Sequence, residues 1–415
     1  MASRKTRSAS VAHEPMLPFD VSVPDRPDDM RERVADREER FFTNCRTPAS
    51  QIKSKIAIDT FLGWAAVMLS QNPVALYYVD LYCGRGVYTD GTPSTPLELF
   101  EKVVSHPRLP YVLHMIFNDR KKNFLFELRD HLMSHPRYSF MVTKPRFSHG
   151  EVTEDLLAGL RQRRPQPPTW AFIDPFGYKG VTQELIHMVL QDFGCDVLFF
   201  FPYHYIKRVL GNPNNRLRGH LEALIGADRV VELRERFREV DDERSNERAV
   251  LKALSASMKA IDGRDILPFA FRRRTGHASH HLVFVSKHLR GYQVAKEAMG
   301  RSSSWSFPDG IPGLEFITPG YDHKLIFDAD APSIDKLKKL LVHRAGGRRL
   351  TFQSAYDSVT LGTPYVKRNV RAAIVSLVRD HGAMLLSDGR ATKLRGALLP
   401  HKCEIVIPPT LRGGR

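Results

Sequence analysis

Between Ala75 and His204 short apolar runs, rich in β-branched and aromatic residues, alternate with segments whose apolar residues recur at helical spacing. ALYYVDL, YVLHMIFND, YSFMV, TWAFIDPFG and CDVLFFFPYH read as strands, and PLELFEKVV, KNFLFELRDHLM, TEDLLAGLRQR and TQELIHMVLQD read as the helices between them. This alternation admits few folds. A strand joined through a helix to the next strand makes a parallel pair with the helix laid across one face. The expected class is therefore α/β, a parallel sheet with helices on both faces. An earlier helix, KSKIAIDTFLGWAAVML (Lys53 to Leu69), is stopped by Asn72-Pro73. HHLVFVS and KLIFDA read as further strands, with the helix GYQVAKEAMGR between them.

At 415 residues two or three domains are expected. Residues 1–48 are polar, charged and proline-containing, and read as a flexible basic lead. Residues 49–330 hold the α/β domain, with a charged helical insertion near 208–262 whose ordinary role is a solvated, salt-bridged face. Residues 333–410 differ in character. Positions 333–415 carry 16 Lys and Arg against 5 Asp and Glu, most of the net charge of +16. A helix from Ile334 to His343, a second near Thr351, and a third with Thr363 as N-cap and Pro364 at its first position precede AMLLSDGRATKL. That last stretch is a hairpin signal around Asp388-Gly389. Three helices and a hairpin in this order read as a basic winged-helix domain, and so large a positive surplus favours a polyanionic partner, nucleic acid above all.

Other classes are poorly supported. Cys45, Cys83, Cys195 and Cys403 stand far apart, which supports no zinc finger, disulfide framework or iron–sulfur site. The 17 histidines show no ligand spacing, so no metal is expected. MASRKTRSASVAHEP lacks an apolar secretory core, and VLFFF is too short to span a bilayer. A cytoplasmic protein without membrane association is expected.

YYVDLYCGRG carries the chemistry. Asp80 ends a strand, where open parallel sheets bind ligands, and Gly84 and Gly86 let the backbone turn tightly against a small molecule. A phosphate-binding loop would need a following lysine. A dinucleotide fingerprint would need a glycine where Thr89 stands, and an acid before the turn would repel a pyrophosphate. A cofactor with no phosphate and a cationic end suits the aspartate. DLYCGRG, including Cys83, resembles the D-x-x-x-G-x-G turn of class I methyltransferases, which bind S-adenosylmethionine (SAM), and the structural alternative is a tight turn. Asp119 ends the second strand and is placed to accept from ribose hydroxyls. Glu151, after the third, is placed for the adenine amine, or equally to favour a helix N-terminus. Asp174, Pro175 and Phe176 resemble the [DN]-P-P-[YFW] turn of amine methylases, with Phe176 at the second proline position and Gly177 at the aromatic one. Their plainer role is a strand-ending turn.

TPASQIKSKIAIDTFLGWAAVML, YYVDLYCGRGVYTDGTPSTPLELF and FIDPFG, with the basic C-terminal domain, together resemble the three-Cys-motif partner proteins (TcmP). Arg85 stands where that family's proline is usual. The resemblance implies a Rossmann-like class I methyltransferase-type core and a three-Cys-motif, radical-SAM-like protein partner. Two functions follow. One is SAM-dependent methylation of a nucleic-acid base amine. The other is a non-catalytic nucleic-acid-binding subunit on a degenerate SAM-type fold. In the basic domain Val366, Val370, Ala373 and Leu377 are expected to face the core, with Lys367, Arg368, Arg371 and Arg379 opposite and Arg390, Lys393 and Arg395 in or beside the wing. Those seven are the candidate nucleic-acid contacts, against a merely solvated charged face.

Overall fold

The computed structural model describes residues 46–152, 167–175, 180–212, 218–262, 265–319, 331–394, 399 and 403–411. Expectations at residues 1–45, at the helix TEDLLAGLRQR, at Phe176 and Gly177, at the strand KLIFDA and at Arg395 fall outside them.

Helix α1 (Pro48–Leu69) opens with Thr47, whose side chain accepts from the Ser50 N–H, and has proline at its first turn. It runs across the sheet rather than along the surface. Ile56, Phe61 and Trp64 are fully buried, and Gly63 sits so close to Val294 that a Cβ would meet it at 2.5 Å. The chain then enters β1 (Leu76–Asp80), α2 (Thr95–Val104), β2 (Leu113–Asp119), α3 (Lys122–Met133), β3 (Arg146–His149) and β4 (Thr169–Ile173). After these come α4 (Gln183–Leu190), β5 (Asp196–Phe201), α5 (Tyr203–Gly211), α6 (Arg218–Ile225), α7 (Ala227–Glu239) and α8 (Glu243–Asp262). The unit closes with β6 (Asp265–Arg272), β7 (Ala278–Ser286), α9 (Leu289–Ser302), a two-strand ribbon of β8 (Ser306–Phe307) and β9 (Ile311–Pro312), and β10 (Glu315–Ile317).

The sheet has the order β10-β6-β7-β5-β4-β1-β2-β3. Strands β1 to β5 are parallel, but β7 runs antiparallel to both β5 and β6, so the sheet is mixed rather than all parallel. The reason is local: β6 and β7 form a hairpin, which needs no crossover helix. Pro268 is tolerated inside β6 because β10 covers that strand only from Ala270 onward. Helices α1, α2, α3 and α9 cover one face and α4 to α8 the other, each over its own apolar core.

The third strand lies later than the apolar pattern places it. YSFMV forms a 3-10 turn (Tyr138–Phe140), and the strand is the polar RFSH segment. Lys144 donates to the carbonyls of Tyr138, Ser139 and Met141, which stabilises the turn, and Phe140 and Val142 remain exposed. Among the described residues no helix is long and apolar enough to cross a membrane.

The C-terminal unit comprises α10 (Ile334–Ala345), β11 (Arg349–Thr351), α11 (Phe352–Thr360), α12 (Lys367–Asp380), the hairpin β12 (Met384–Ser387) and β13 (Arg390–Thr392), and β14 (Glu404–Val406). Its helices pack with a small antiparallel sheet of order β11-β14-β12-β13 over a core of Leu337, Leu341, Tyr356, Ile374, Leu385 and Ile405. Asp388 and Gly389 both adopt positive φ in the hairpin turn, as that dipeptide favours. Helix α12 starts later than Thr363-Pro364. Thr363 Oγ1 instead donates to the Val359 carbonyl at the end of α11, and Asn369 Oδ1 accepts from the Val366 N–H.

Candidate functional site

The carboxyl ends of β1, β2 and β4 converge around the turn at residues 81–86. Register explains why. Asp80 pairs with Phe117 of β2 and Phe172 of β4, so Asp119 and Asp174 each lie two residues beyond its level on either side. Gly84 and Gly86 have φ of 67° and 90°, the left-handed region. At Gly86 a Cβ would meet Leu128 Cδ1 at 2.9 Å. At Gly86 the conformation and the space both favour glycine; at Gly84 the conformation does.

Asp80 is buried and accepts from the Tyr82 N–H and the Tyr78 hydroxyl, both at 3.2 Å. Burial pushes its carboxyl up to about 8; the Tyr82 N–H opposes the rise, and the charges of Asp174 and Asp119 add to it. Asp119, also buried, accepts from the Gly84 N–H at 2.9 Å and the Lys121 N–H at 2.8 Å. These bonds orient its two oxygens. The neighbouring Asn118 donates to the carbonyls of Leu81 and Gly150, while its own buried Oδ1 meets no hydrogen-bond partner. Glu151 is exposed just past β3, close enough that its charge acts on Tyr82. Cys83 is buried, with its N–H on the Asn118 carbonyl and its thiol pushed well up by burial. It is a wall of the site and not a nucleophile.

Sequence reading missed Lys53. Its Nζ lies 2.5 Å from Asp174 Oδ2, with both side chains less than one-fifth exposed, and 5.5 Å from the centroid of the Phe200 ring. Phe200 leans on His280 at 4.7 Å, and His280 stacks on Phe271 at 4.4 Å and 14°. Burial, with Lys53 next, holds the His280 imidazole well below its usual range, so it is neutral at pH 7. Pro175 follows Asp174 and is buried. The site thus spans β2, β1, β4, β5 and β7, with α1 as its roof. His204, Lys207 and Arg208 lie in α5. His204 Nδ1 is 2.8 Å from the Ser279 carbonyl, and Lys207 pairs with Glu243.

The basic candidates divide. Val366, Val370, Ala373 and Leu377 are buried. The start of α12 abuts the α/β unit: the Lys367 N–H donates to Glu297 at 2.7 Å and Arg368 Nη2 to the Gly310 carbonyl at 2.5 Å. Arg371, over the Phe352 ring at 5.2 Å, and Arg379, Arg390 and Lys393 are exposed. Among the described residues no group of three or more His, Cys, Asp or Glu is placed to hold a metal ion.

No protein-family model matches this chain, and no curated protein does. Among solved structures it is distantly similar to the methyltransferase domain of bacterial CtHen1, at 12% identity over 58% of this chain and 98% of that one, with a TM-score of 0.29. A SAM-dependent methyltransferase from Methanosarcina mazei matches at 12% identity over 52% of this chain and 95% of that one, TM-score 0.28. Protein LPL1258 from Legionella pneumophila matches at 13% over 56% and 84%, TM-score 0.28. Likenesses at this level carry no functional conclusion.

Proposed function

We propose that the α/β unit binds SAM and transfers its methyl group to an exocyclic amine of a nucleic-acid base, with the C-terminal unit, read as a winged helix, holding the nucleic acid. The observation that carries this reading is the row Asp119, Asp80 and Asp174 on three adjacent parallel strands around a two-glycine turn. Asp119, with Asp80 able to ionise beside a cation and Asp174 balanced by Lys53, disfavours a pyrophosphate and favours a cation that also carries hydroxyls. Asp80 and the turn would hold the amino-acid end, Asp119 the ribose, and Glu151 the adenine. When bound, SAM supplies an electrophilic methyl group. Asp174 accepts from the substrate amine and aims its lone pair, while the buried walls exclude water. A duplex base would have to be flipped out to reach it. A three-Cys-motif, radical-SAM-like protein is the partner that the family resemblance implies.

A second reading, a non-catalytic nucleic-acid-binding subunit, is favoured by the Lys53–Asp174 ion pair, which engages the carboxylate meant for the amine. Calorimetric titration of the purified chain with SAM separates the readings. Micromolar binding that Asp80→Ala abolishes supports the first, and no binding by folded wild-type protein overturns it. Asp174→Ala is expected to keep SAM binding and to lose methyl transfer into nucleic acid.

A further inference from the structure

Lys53 and Asp174 are 121 positions apart in sequence yet form an ion pair at 2.5 Å. Parallel pairing of Ile173 with Phe199 sets Asp174 beside Phe200, and α1 brings the ammonium down between the carboxylate and that ring. Behind Phe200 the His280–Phe271 stack fixes the ring, and Ser279 Oγ lies 2.9 Å from His280 Nδ1. Both members of the pair keep partial exposure, 16% and 19%, and so remain accessible to a ligand. As a brace the pair gains little, because desolvation offsets much of the Coulomb attraction. As a recognition element it offers a donor and an acceptor side by side. The ammonium has three N–H donors, of which Asp174 takes one, and the carboxylate keeps acceptor positions beyond the one facing Lys53.

We propose that Lys53 and Asp174 together read the amidine edge of adenine or cytosine, the exocyclic amine on Asp174 and the adjacent ring nitrogen on Lys53. This assignment rests on the methyl-transfer reading, since the amine to be methylated must sit on Asp174. With the amine there, the neighbouring Watson–Crick position faces the ammonium. In adenine and cytosine it is an acceptor, ring N1 or N3. In guanine it is an N–H donor, which the ammonium opposes, and uracil and thymine carry no exocyclic amine. Lys53 is thereby the specificity-determining residue and Asp174 the catalytic one.

The test uses the full chain saturated with S-adenosylhomocysteine and single strands of thymidylate carrying one central adenine, cytosine or guanine, with uridylate counterparts in RNA. Fluorescence anisotropy is expected to show binding to the adenine or the cytosine strand about tenfold tighter than to the guanine strand. Lys53→Met should erase that preference and Lys53→Arg should retain part of it, with circular dichroism showing both variants folded as wild type is. With SAM instead, mass spectrometry should find the methyl on adenine N6 or cytosine N4. Equal affinity for the three strands, or methyl found on guanine, overturns the edge-reading assignment while the methyl-transfer reading stands. Failure of folded wild type to bind either cofactor form overturns both.

Discussion

Asp80 combines burial with a position where a cation would be needed, and the two pull its proton in opposite directions. Its carboxyl is raised to about 8, chiefly by burial, so at pH 7 it is mostly neutral. A cationic ligand beside it favours the ionised form. SAM affinity should therefore climb as pH rises from 6 toward 8 and level off above, by at most about tenfold per pH unit. Asp80→Asn should flatten that profile, and calorimetry at several pH values checks it. The stability consequence has the opposite sign. A carboxyl raised from an unfolded value of about 3.9 destabilises the fold progressively as pH rises from 4 to 8. Gly86 gives a steric counterpart. Gly86→Ala places a Cβ 2.9 Å from Leu128 Cδ1 at a φ of 90°, and should cost about 1–3 kcal/mol of stability and weaken SAM binding. Denaturant melts and titration of the variant read both. A melting midpoint equal to wild type would mean that the turn relaxes freely.

Helix α9 joins the two units by polar contacts. Gln293 donates to Asp357 at 2.7 Å and to Thr360 at 3.1 Å, Glu297 accepts from the Tyr356 hydroxyl and the Lys367 N–H, and Lys296, fully buried, donates to the Thr360 and Tyr365 carbonyls. Burial lowers the Lys296 ammonium to about 7 from an ordinary value near 10.5. Between those values the unfolded chain holds a proton that the folded chain has lost, so stability should rise with pH from 7 to about 10. Denaturant unfolding of wild type and Lys296→Met across that range checks it. The variant should lack the rise, and parallel curves would show that Lys296 keeps its charge in place. None of this seam was legible in the sequence, and the reason is general. Strands β1, β2, β4 and β5, with Asp80, Gly84, Gly86 and Asp119 at their ends, announce themselves through local period and turn chemistry. Lys53 and Lys296 do not, because their partners are 121 and 64 positions away and a lysine in a helix is ordinarily solvated. The misplaced third strand has a related cause. An edge strand is chosen by its pairing to β2, and Arg146 to His149 pair there although YSFMV is the more apolar run.

The basic surplus and the candidate site lie in different units, so the packing between them decides which cations can meet a nucleic acid. Periodicity groups Lys367, Arg368, Arg371 and Arg379 on the face away from the core. The fold divides that face, because the first turn of α12 abuts α9 and the β8–β9 ribbon. A Cβ on Gly300 would meet Val366 at 3.2 Å, Lys367 hydrogen-bonds Glu297 through its N–H, and Arg368 reaches the Gly310 carbonyl. The usual entry of a recognition helix by its N-terminal residues is thereby restricted. Arg371 remains exposed farther along α12, and Arg390 and Lys393 are exposed at the hairpin. If these three hold phosphates, changing them together to Ala should weaken binding to a DNA duplex and reduce the log–log salt slope by roughly 0.9 for each lost contact. On single strands the reduction should be about 0.7 per contact. Lys367→Ala with Arg368→Ala should move the slope less. Arg368→Ala alone should lower stability modestly, since it removes an exposed hydrogen bond between the units. Affinity measured from 50 to 200 mM salt for wild type and the two multiple variants distinguishes the surfaces. Equal slopes for wild type and the Arg371, Arg390 and Lys393 variant would place the nucleic acid elsewhere, and a larger loss from the Lys367 and Arg368 pair would mean that the units separate to admit it.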